Sequence, residues 1–132
     1  MIVADVNLIA YLLIPGPFTT AAESVFRKDP EWAAPYLWRS ELRNILATYI
    51  RTRTMPLPEA LRKMAEADAV INGHDIAVPS DKVLAEAAGR DLAAYDAEYI
   101  VAARQLGVPL VTCDTRLRNA VPDVALRPEE FR

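Results

Sequence analysis

The chain of 132 residues holds one cysteine and one histidine, and these two scarcities remove several protein classes. A lone thiol, Cys113, has no partner within the chain, so no disulfide framework holds the fold. Cys113 and His74 together fall short of the four ligands of a structural zinc site. A single histidine also leaves no Ser/His/Asp set for nucleophilic catalysis. A cytoplasmic location is expected. Long apolar runs are missing too: the most apolar stretch, Ile2 to Ile14, is broken by Asp5 and Asn7 and stops at Pro15-Gly16-Pro17. That is short of the roughly 20 residues that span a bilayer. No basic segment precedes it and no small-residue cleavage site follows, which argues against a secretory signal. A basic excess is absent as well. The balance of 15 basic against 18 acidic residues gives −3, and polyanionic partners are usually met by a basic surface.

What is present describes one globular domain: 52% hydrophobic and 25% charged residues, with no repeat, low-complexity tract or charge block. Ile2-Val3-Ala4 is a short apolar strand that runs straight into a helical pattern, Leu8, Tyr11 and Leu12, ended by Pro15. A second helix opens at Phe18 and closes near Asp29-Pro30, and Trp32-Ala33-Ala34 reads as a strand. From Tyr36 to about Thr54, Trp38, Leu42, Ile45, Leu46, Tyr49 and Ile50 recur at helical spacing. Further helices are expected from about Pro58 to Ile71, from a Ser80 N-cap to about Ala88 before Gly89, and from Tyr95 to Leu106 with Gly107 as a left-handed terminator. Strands are expected at Ile76–Val78 and Leu110–Cys113. Helices alternating with short apolar strands predict an α/β sandwich with a mainly parallel sheet, in which ligands bind beyond the carboxyl ends of the strands.

Four carboxylates stand at that expected edge. Asp5 ends the first strand and Asp114 follows the last, while Glu41 and Asp96 lie on helices beside apolar stripes. Each has an ordinary explanation: Asp5 and Asp96 as helix caps, Asp114 as the start of a turn, Glu41 as a paired surface residue. Together they suggest more, because gathered carboxylates repel unless a cation neutralises them. Hard oxygen donors select Mg²⁺ or Mn²⁺, and such ions can activate water for attack on a phosphodiester.

At these residues the chain resembles the PIN-domain family, and within it the VapC-type toxin ribonucleases of toxin–antitoxin pairs. The matching segments are Ile2-Val3-Ala4-Asp5-Val6-Asn7, Ser40 to Leu46, Tyr95 to Ile100, and Pro109 to Asp114. They run in the family's order and span nearly the whole chain. The resemblance implies a PIN-like three-layer α/β/α sandwich and an Mg²⁺- or Mn²⁺-dependent endoribonuclease whose metal-binding, catalytic acids are Asp5, Glu41, Asp96 and Asp114. It implies supporting roles for Asn7 and Thr112, a 5′-phosphate and a 3′-hydroxyl as products, a homodimer, and a small antitoxin whose tail enters the active-site groove. The sequence departs at Leu117, where many relatives carry a further acid, so one strong and one weak or substrate-assisted metal site is expected.

RNA phosphates require cations. Arg39 and Arg43 lie near Glu41, and Arg116 and Arg118 follow Asp114; Arg43 and Arg116 are the favoured contacts. Arg51, Arg53, Arg62 and Lys63 suit a protein interface. His74 belongs to the turn Asn72-Gly73-His74-Asp75, Cys113, Trp38 and Tyr49 are expected in the core, and Trp32 in the core or an interface. A catalytically weak PIN-fold module that binds RNA or protein is the alternative, favoured by Leu117 alone. A phosphoacceptor receiver domain would need an adjacent acidic pair after the first strand, and Val6 follows Asp5. Setting the four carboxylates aside leaves 14 acidic against 15 basic residues, so the negative balance is no obstacle to an RNA substrate.

Overall fold

The computed structural model describes residues 1–132. Five strands, β1 (Ile2–Ala4), β2 (Trp32–Pro35), β3 (Asp75–Ile76), β4 (Leu110–Val111) and β5 (Ala125–Leu126), form one sheet in the order β3-β2-β1-β4-β5. Every pairing is parallel. Parallel neighbours need crossovers, and seven helices supply them: α1 (Val6–Leu13), α2 (Thr19–Lys28), α3 (Trp38–Arg51), α4 (Leu57–Ile71), α5 (Ser80–Arg90), α6 (Ala94–Leu106) and α7 (Thr115–Ala120). A short 3₁₀ turn, Pro128–Glu130, follows β5.

The strands β1, β2 and β4 are buried at every residue, as strands covered on both faces must be. Helices α1, α3 and α4 pack on one another, while α6 lies across β1, β2 and β4 with α5 behind it. Trp32, Trp38, Leu42, Ile100 and Leu110 fill the space between layers and are almost fully enclosed. No helix is long and apolar enough to cross a membrane.

Several local expectations are corrected. The third strand is Asp75–Ile76, not Ile76–Val78, because its register matches Ala34 and Pro35 at the end of β2, beyond which nothing continues the pairing. The fourth stops at Val111 rather than Cys113, because the chain turns at Thr112, whose hydroxyl receives the Asp114 N–H. Pro79, not Ser80, occupies the N-cap of α5, and that helix runs through Gly89 to a left-handed Asp91. Tyr49 lies on the exposed side of α3, while Trp38 and Trp32 are core. Gly107 does end α6 in a left-handed conformation, at φ 68°. His74 sits in its turn, with its carbonyl accepting the Ala34 N–H.

Candidate active site

Parallel topology brings the ends of β1 and β4 side by side, since Ala4 pairs with Val111. Asp5 and Asp114 follow those strands and are the N-caps of α1 and α7. The Asp5 carboxylate accepts the Leu8 N–H at 2.8 Å, and that of Asp114 accepts the Leu117 N–H at 3.1 Å. Between them lies Thr112, fully buried. Its hydroxyl donates to the second oxygen of Asp5 and accepts the Asp114 N–H. One threonine therefore links the Asp5 carboxylate to the Asp114 backbone.

Glu41 and Asp96 reach the same edge from helices. Glu41 lies in the first turn of α3, half-buried, and one of its oxygens accepts a 2.7 Å hydrogen bond from the Tyr99 hydroxyl on α6. Asp96 is in the first turn of α6, but Ala93 is the N-cap and no side chain caps that helix. The capping explanation thus holds for Asp5 and Asp114 and fails for Asp96, which has no backbone duty. Asn7 lies exposed in the first turn of α1.

The electrostatics mark the group as one cluster. Burial first, then the charges of Asp114 and Glu41, push Asp5 up to about 6 against the relief of its two hydrogen bonds. Glu41 is raised by burial and by Asp96 and Glu98, with Tyr99 opposing. Asp96 is raised by burial and by Asp114, with Arg116 opposing. Every charge acting on Asp5 and Glu41 is negative. An excess of buried negative charge on oxygen donors alone suits a hard divalent cation. As the side chains stand, no three His, Cys, Asp or Glu residues form a ligand group for a metal ion. In chemistry, the four carboxylates fit a hard divalent cation.

Two residues at this edge escaped the sequence reading. Tyr99 looks from its spacing like any other core residue of α6, and only the fold reveals that its hydroxyl meets Glu41. Glu98, next to it, adds a fifth negative charge. Of the arginines, Arg39 is occupied by Asp75 and Asp68 and stacks over Trp38, 4.8 Å from the ring centroid. Arg118 is held by Glu130. Arg43 is exposed, and Arg116 is exposed with one N–H on the Asp91 carbonyl. The two large concavities lie elsewhere. One of about 580 Å³ sits between α5 and α6, where Glu86 clamps Arg90 and Arg104; another of about 600 Å³ includes Pro109 and Pro122. Neither is lined by any of the four carboxylates.

Two solved structures illustrate what this chain is similar to. PAE2754 from Pyrobaculum aerophilum superposes with a TM-score of 0.75 at 22% identity, covering 94% of this chain and 81% of that one. FitAcB from Neisseria gonorrhoeae gives 0.73 at 20% identity, covering 99% and 100%. The fold is PIN-like. No family model matches the sequence, and no curated protein matches it. In this PIN-like fold, Asp5, Glu41, Asp96 and Asp114 all fall at the carboxyl edge, where open α/β sheets bind ligands.

Proposed function

We propose that the protein is a metal-dependent endoribonuclease, the toxin of a toxin–antitoxin pair. The observation that carries this is the carboxylate cluster at the carboxyl edge, and within it Asp96, a half-buried acid with neither cap nor hydrogen bond to explain it. Asp5, Glu41, Asp96 and Asp114 would hold Mg²⁺ or Mn²⁺. When bound, such an ion activates water and offsets charge on the phosphodiester. The chain's own residues do the rest. Thr112 and the α1 backbone fix Asp5, Tyr99 fixes Glu41, and the exposed Arg43 and Arg116 hold flanking phosphates.

Leu117 is 2% exposed in the core, so its position cannot offer a further acid to the site without unpacking α7. This supports one strong and one weak or substrate-assisted metal site. The antitoxin partner rests on the likeness to the FitAcB structure and on the family resemblance of the sequence, which also suggests a homodimer. The test is cleavage of single-stranded RNA with and without Mg²⁺ by the parent and by Asp96→Asn. The parent should cut only with the ion, and Asp96→Asn should lose at least about a hundredfold in rate, as removal of a transition-state electrostatic contact does. Cleavage by Asp96→Asn at the parental rate would sink the reading.

A further inference from the structure

A smaller concavity of about 240 Å³ is lined by Val78, Ser80, Val83, Leu84 and Glu98. Its place follows from topology. Val78 and Ser80 come just after the carboxyl end of β3, and Glu98 directly precedes Tyr99, whose hydroxyl holds Glu41. The charge of Glu98 acts on Glu41, which brings the pocket to the same edge as the cluster. It is smaller than the roughly 300–1,000 Å³ of sites for drug-sized molecules, which limits it to a small flat group.

Its chemistry is specific. Val78, Val83 and Leu84 give apolar walls, and Leu84 is 63% exposed with nothing covering it. Glu98 has no hydrogen bond or ion pair within the protein to satisfy its carboxylate. Ser80 caps no helix and its hydroxyl is free at the mouth. Tyr95, one turn before Glu98 on the same face of α6, leaves its ring 66% exposed. Apolar faces, a carboxylate acceptor and a hydroxyl donor complement a planar heterocycle that carries two adjacent N–H donors beside a carbonyl. Among the RNA bases, guanine has that edge in N1–H, N2–H and O6. Adenine and cytosine would set a ring-nitrogen lone pair against the carboxylate, and uracil offers a single N–H. The edge is free only in an unpaired strand, and an exposed tyrosine adds a stacking surface for such a strand.

We infer that this pocket is a guanine site, with Glu98 reading the base, that selects single-stranded RNA for the adjoining carboxylates; it rests on the nuclease reading above. The test uses the full chain and short single-stranded RNAs that differ at one position: guanine, inosine (which lacks the N2 amine) or adenine. The guanine strand should be cut at least about tenfold faster than the adenine strand, the discrimination of a bidentate contact, with inosine between them. Glu98→Gln should shrink that ratio to within about threefold. In parallel, guanosine monophosphate should shift the NMR amide signals of Val78, Val83 and Leu84 in the metal-free parent, and adenosine monophosphate should not. Leu84→Asp, at an exposed wall position, should abolish the shift and serves if Glu98→Gln fails to fold. Cleavage without base preference, or a preference that survives both variants, overturns the guanine site and leaves the nuclease intact. Selective guanosine shifts without cleavage of any RNA overturn the nuclease and keep the site. If neither is seen, both fall.

Discussion

Tyr99 shows how much one side chain can settle. It is 2% exposed and its hydroxyl meets only the Glu41 carboxylate, while burial, followed by that hydrogen bond, drives its pKa far up, so it remains a donor at any working pH. Tyr99→Phe keeps the ring and removes the donor. Hydrogen bonds to charged groups contribute about 1.5–3 kcal/mol, so Tyr99→Phe should lower the cleavage rate roughly ten- to a hundredfold. It should also lower the melting temperature by several degrees, and have no further effect on the rate in a Glu41→Gln background. Additive losses in the double variant would show that Tyr99 acts otherwise. Asp5 permits a signed pH prediction. Its folded pKa, about 6, lies above the ordinary 3.8, so the folded state holds the extra proton between those values. Its stabilising contribution is complete below pH 3.8 and is lost as pH rises through 6. Asp5→Asn, which keeps the cap, should therefore exceed the metal-free parent at pH 7 by up to about 3 kcal/mol, with the gap closing near pH 4. Denaturant melts at the two pH values would measure it.

The helices separate the two explanations that compete for each acid. Asp114 caps α7, a helix of six residues, whereas Asp96 lies inside the first turn of α6 and caps nothing. Asp114→Ala should cost about 1 kcal/mol, and Asp96→Ala should leave metal-free stability unchanged or raise it, although both abolish cleavage. Thermal melts of the two variants provide the comparison. Element scale is also where the sequence was most and least legible. Leu42 and Leu46 lie buried at helical spacing on α3, so periodicity found that helix unaided. β5 is two residues long, Ala125–Leu126, too short for any period to register, and only its pairing with β4 makes it a strand. β3 was found one residue late for the same reason: register against β2, not local pattern, sets its bounds. The four candidate acids stood out by position, Asp5 and Asp114 at strand ends and Glu41 and Asp96 beside apolar helix stripes. Tyr99 and Glu98 were not, because a tyrosine on a buried face and a glutamate on a helix break no pattern.

Across the whole molecule, two populations of acids oppose each other. Asp75, Glu86, Asp123 and Glu130 are held below their ordinary range with arginine partners, Glu130 at about 2. Their contribution is present above the unfolded pKa and fades as pH falls through the folded one. Asp5, Glu41, Asp96 and Glu98 shift the opposite way. The metal-free protein should thus be most stable in mildly acid solution and weaken toward neutrality. Saturating Mg²⁺ should reverse that trend, adding about 2.7 kcal/mol at a hundred times its Kd. Thermal melts across pH with and without the ion would test this, and an identical pH profile in both would argue against a metal at the cluster.

Asp5 and Asp114 hold helix ends as well as facing the site, and that double duty bears on how such a sequence could change over time. A lineage freed from selection for cleavage would still need a capping side chain at both positions and would retain Asp or drift only to Asn, Ser or Thr. Glu41 is kept by the buried Tyr99 hydroxyl, whereas Asp96, bound to no group, would be free to vary. Loss of activity would therefore be recorded first at 96, while 5 and 114 continued to look intact.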